Sequence, residues 1–70
     1  MTLDKIKYYM EDHVFAYWTE TFFELTNGDY LKQKEILNNA IKKLENEINL
    51  GTLTDVKYIA ELNLLKHLRG

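Results

Sequence analysis

The sequence predicts an all-α fold, a three-helix bundle with a long aromatic first helix, and three observations predict it. Apolar residues recur at helical spacing through most of the chain, proline is absent, and each of the three glycines falls where a helical pattern stops. With no proline and so few glycines there is no flexible linker, so residues 1–70 read as a single helical domain. The helices are expected over about 3–26, 30–50 and 54–69.

The first helix opens at Thr2, a capping residue, with Asp4 in the first turn where a negative charge complements the helix dipole. It carries the stretch that everything else must pack on: His13 to Leu25, HVFAYWTETFFEL, holds the only Trp and all three Phe. On a helical wheel Leu3, Ile6, Tyr8, Met10, Val14, Phe15, Tyr17, Trp18, Phe22 and Leu25 cover an arc of roughly 200°, too wide for a helix that buries a single face. A competing α+β reading places strands near 13–25 and 52–59, because Val, Phe, Tyr, Trp and Thr favour strands and Asn27-Gly28 is a good hairpin turn. The helix formers Lys32 to Glu35 that follow argue against it. Asn27-Gly28 then becomes a left-handed helix stop, with Asp29 capping the next helix.

The second helix has the cleanest pattern. Tyr30, Leu37, Ile41, Leu44 and Ile48 form a narrow seam, widened by Ile36 and Ala40, and Gly51 ends it. Its other face, from Lys32 and Glu35 to Asn46 and Asn49, reads as solvated. In the third helix Thr52 and Asp55 form a capping box, with Thr54 as the competing cap, and Tyr58, Leu62, Leu64, Leu65 and Leu68 face the core. The core seam is therefore Tyr30, Leu37, Ile41, Leu44, Ile48, Leu62 and Leu65.

Composition narrows the function more than any motif does. Nine basic and eleven acidic side chains give a net charge of −2, a balance that disfavours a protein built to grip phosphates. Residues 1–26 carry the acidic excess, with five acids against two lysines. There is no cysteine, no apolar run long enough to span a membrane and no basic, apolar leader at the N-terminus, so the expected location is the cytoplasm, free of membrane. The abundance of Lys, Asn, Ile and Tyr is a coding bias compatible with an AT-rich genome such as that of a bacterium or phage.

Catalytic and cofactor chemistry find no foothold. The glycines are isolated rather than grouped in a phosphate-binding loop, serine is absent, and the threonines lie at caps or inside the aromatic helix. The two histidines, His13 and His67, have no metal-ligand spacing to Glu11, Asp12, Glu20, Glu24 or Glu61, which read as solvated carboxylates. No catalytic residue, metal site or cofactor is expected, and the chain reads as a non-enzyme.

What calls for explanation is the aromatic excess. It can fill the core of a very small protein, or one side of the first helix can be an interface, with Tyr9, Phe15, Trp18, Phe22 and Phe23 as the candidate interaction residues. The leading expectation is a small helical interaction module that forms a homodimer, binds a regulatory protein target, or does both. The alternative is a dimeric DNA-binding transcription regulator presenting the third helix through Lys57, Asn63, Lys66 and Arg69.

Overall fold

The computed structural model describes residues 1–70 and is helical with no strand, so residues 13–25 and 52–59 are not the strands of the α+β reading. It contains four helices rather than three. Helix α1 spans Leu3–Tyr9, and α2 covers residues 12–26 in three continuous pieces: Asp12–Ala16, a π-helical turn Tyr17–Thr21, and Phe22–Thr26. Helix α3 spans Tyr30–Asn49 and α4 spans Val56–Arg69.

The single first helix expected over 3–26 is thus broken, and the break is made by Met10 (ψ 154°) and Glu11 (ψ 138°) in extended conformation. A straight helix of that many residues would measure about 36 Å; with the break, the molecule's longest dimension is 33 Å. Bending at Met10 lets α1 lie back on α4 and brings both Ile6 and Met10 into the core.

The π turn of α2 answers a second geometric demand. Val14, Trp18, Phe22 and Thr26 turn inward at a strict spacing of four, the last three buried and Val14 packed at the core's edge. In a regular α-helix residues four apart precess by about 40° per step, so such a row winds off the core face. The wide turn, in which the Phe22 amide donates to the Tyr17 carbonyl, unwinds part of that drift. Within it, the Thr19 hydroxyl donates back to the Phe15 carbonyl at 2.8 Å.

The core joins Ile6, Met10, Trp18 and Phe22 to Leu37, Ile41 and Leu44 of α3 and Ala60, Leu64 and Leu65 of α4. Ile48 and Leu62 of the expected seam lie at its edge. Tyr30 does not belong to it. It occupies the first turn of α3, ahead of the buried run that starts at Leu37, and its ring is open to solvent under the Lys34 ammonium, 5.4 Å from the ring centre. The inward place near that end goes to Gln33, whose amide donates to the Thr26 hydroxyl at 2.9 Å while that hydroxyl donates to the Phe22 carbonyl. Thr26 is the one buried polar residue, and no buried side-chain polar atom lacks a partner.

Helix ends follow the sequence closely. Thr2 and Asp29 accept the amides of Lys5 and Lys32, and Asn27 and Gly28 take left-handed φ of 47° and 77°. Gly51 (φ 80°) closes α3 in a Schellman arrangement, its amide donating to Ile48 and that of Thr52 to Glu47. The expected Thr52–Asp55 capping box is not formed. The Thr52 hydroxyl donates backward to the Glu47 carbonyl at 2.8 Å, and Asp55 alone caps α4 through the Lys57 amide. Helix α4 consequently begins at Val56, two residues later than expected.

Phe22→Ala is expected to cost about 3–5 kcal/mol because Phe22 is 1 % exposed. Phe23→Ala, its half-open neighbour, is expected to cost well under half of that. Urea unfolding of both variants checks the contrast, and equal losses would contradict this core.

Candidate interaction surface

The aromatic residues of α2 straddle the boundary of the core. Trp18 is 9 % exposed, and its indole N–H donates to the Glu61 carboxylate at 3.1 Å, tying α2 to α4. Its ring meets Tyr17 edge-on, with centroids 5.1 Å apart, and packs on Phe22 at 5.2 Å. Phe22 in turn meets Phe23 at 5.2 Å. The result is a connected run in which Trp18 and Phe22 are inside while Tyr17 and Phe23, about 40 % exposed, remain outside. Edge contacts of this kind hold the outer rings in place against a rigid base.

The five candidate interaction residues therefore occupy three environments. Trp18 and Phe22 are core residues. Phe15 is partly buried against the core, beneath the Lys7 ammonium at 5.9 Å. Tyr9 and Phe23 are open, Tyr9 in an edge contact with the exposed Tyr8 at 5.0 Å. Sequence reasoning missed the open residues nearest the α2–α3 turn: Leu25 (69 % exposed), Tyr30 (62 %) and Leu31 (79 %). Leu31 was legible, since it lies off the Leu37–Ile41–Leu44 seam among polar neighbours.

The residues of the nucleic-acid alternative are mostly engaged within the chain. Lys57 donates to Glu11 at 2.8 Å, Lys66 lies 3.6 Å from Glu45, and the Asn63 amide donates to the Ile59 carbonyl at 2.8 Å. Arg69 sits in the last turn of α4, and His67 beside it is exposed.

Where the chain breaks between α1 and α2, Met10, Glu11, Val14, Lys57, Tyr58 and Glu61 line a half-open cleft of about 170 Å³. It is smaller than the usual ligand pocket. Each of its charged groups already has a partner: Glu11 joins Lys57, and Glu61 receives Trp18. The Glu61 carboxylate is thus a structural acceptor rather than the solvated group expected. His13 stands 3.3 Å from Glu11 on the open side. No group of three or more His, Asp or Glu could hold a metal ion, and no helix is long and apolar enough to cross a membrane.

No protein-family model, curated protein or solved structure matches this chain.

The Lys57 ammonium hydrogen-bonded to Glu11 holds that carboxyl below the ordinary carboxylate range, and Glu11 raises Lys57 above the ordinary lysine range. A carboxyl lowered in the folded state contributes stability above its unfolded pKa and loses it as pH falls through the folded value; the raised lysine loses its contribution as pH rises through its own folded value. Glu11 is exposed and Lys57 partly so, so the effect is small and screened by salt. Glu11→Gln is expected to lower Tm slightly at neutral pH and low salt, with the difference from the parent protein disappearing in strong acid and at about 1 M salt. Scanning calorimetry across pH checks this; a difference that persists in acid would assign the loss to something other than this ion pair.

Proposed function

We propose that the chain is a non-enzymatic protein-interaction module that docks through the aromatic and apolar side chains α2 and its turn leave outside the core. The observation that carries this reading is the split of neighbouring aromatics, with Tyr17 and Phe23 held open by rings that are themselves buried. Rigid, pre-placed aromatic area binds protein at low entropic cost. The DNA-binding reading draws less support, because Lys57, Lys66 and Asn63 have partners inside the chain, which leaves Arg69 as the one Lys or Arg of α4 without an ion pair.

A photo-cross-linking residue placed at Phe23 or at Tyr17 is expected to form an adduct in cells with a protein, either another copy or a different chain, whereas the same group at Asn39 on the polar face of α3 is expected to form none. No adduct from either aromatic position would sink the reading. Duplex DNA at low salt is expected to give no shift. A shift that weakens when Lys66 and Arg69 are neutralised would transfer the function to the DNA-binding alternative.

A further inference from the structure

We propose that the end of the bundle formed by the α2–α3 turn is an interface with a second copy of this chain, two such turns meeting across a two-fold axis. The proposal rests on the protein-interaction reading above and adds to it the partner and the surface.

Three of the five most exposed large apolar side chains in the molecule, Leu25, Tyr30 and Leu31, fall within seven residues around this turn. The platform that carries them is stiff. The connection is only Asn27, Gly28 and Asp29; Asp29 caps α3, and the Thr26–Gln33 hydrogen bond joins the two helices just behind it. At about 150 Å² for each fully open side chain, the low end of the aromatic range, their open fractions of 69, 62 and 79 % amount to roughly 300 Å². That is somewhat under half of the ~800 Å² per partner in a standard interface.

Charge indicates a copy rather than a different protein. Glu24 on α2 and Lys32 on α3 flank the apolar group with opposite signs, both are exposed, and neither makes an ion pair within the chain. In an isologous contact each interaction occurs twice, so Glu24 of one copy meets the partner's Lys32 and the reverse. The patch is complementary to itself: an apolar centre with a paired polar rim.

Sedimentation equilibrium on the full chain at low salt, from about 1 to 500 µM, tests the arrangement. The parent protein is expected to dimerise, and Glu24→Lys and Lys32→Glu are each expected to weaken dimerisation at least tenfold, since every rim pair becomes a like-charge pair. An equimolar mixture of the two variants restores opposite charges at both pairs and is expected to recover a heterodimer near the parent affinity. Misfolding does not confuse the result. A positive charge near the C-terminus of α2 and a negative one in the first turn of α3 both favour the helix dipole, and circular dichroism checks that each variant is folded. Leu31→Asp, at an open position, is expected to remain folded and monomeric. A parent chain that is monomeric at the highest concentration would overturn the proposal, as would a mixture no tighter than either variant. If cross-linking at Phe23 still captured a different protein, the interaction reading would stand while the second copy was lost.

Discussion

A helix running straight through residues 3–26 would be longer than any dimension of this molecule, and the fold is organised around the break that shortens it. The core holds only ten buried apolar residues, and two of them, Ile6 and Met10, come from the segment at the break. Turning back at Met10 places Ile6 and Met10 against α4, which an unbroken helix would leave beyond the end of the bundle. The same break frees Glu11 from helical geometry, so its carboxylate can reach Lys57 on α4 and His13 on α2. The π turn belongs to the same economy of length. It keeps Trp18, Phe22 and Thr26 in one inward row, and Trp18 can then donate to Glu61 across the bundle.

The parts of the fold legible in the sequence are those set by local chemistry. Thr2, Asp29, the Asn27-Gly28 stop and Gly51 act where their side chains or backbone preferences place them. The Leu37–Ile41–Leu44 seam is buried because three turns of one face with no competing apolar row admit no other register. The features not legible are those in which tertiary packing overrides local preference. Little in Tyr9-Met10-Glu11-Asp12 marks the break: there is no proline and no glycine, Asp12 is a capping residue type but stands inside α2, and Glu11, which holds the cap position, makes no side-chain capping bond. The wheel that gave residues 3–25 a 200° apolar arc ran straight through the break at Met10 and Glu11 and assumed 3.6 residues per turn throughout, whereas a break and a π turn both change which residues share a face. Tyr30 continued the seam by spacing alone, but spacing does not reveal where the neighbouring helices end.

For the interaction surface, the sequence identified the segment but not which of its rings face outward. Trp18 has the largest side chain in α2 and was a natural choice as an interface anchor, yet its indole N–H has a satisfied partner at 3.1 Å and its ring is closed in. Size alone could not separate the two roles. What separates them is the partner available to each polar tip and the depth of each Cα in the bundle, and both depend on helices distant in sequence.

The turn between α2 and α3 shows why an apolar surface can persist in a protein with so small a core. Leu25, Tyr30 and Leu31 lie where one helix ends and the next begins, and no element of the chain extends past that point to cover them. Replacing them with polar residues would take little from the fold, because open positions contribute little to its stability. Two leucines and a tyrosine stand there on a turn fixed by a cap and a cross-helix hydrogen bond. Flanked by Glu24 and Lys32, neither of them paired within the chain, the group has the composition of an interface core with its rim. Association is a process in which such side chains lower the free energy, and the proposed second copy would add that burial at this end of the bundle.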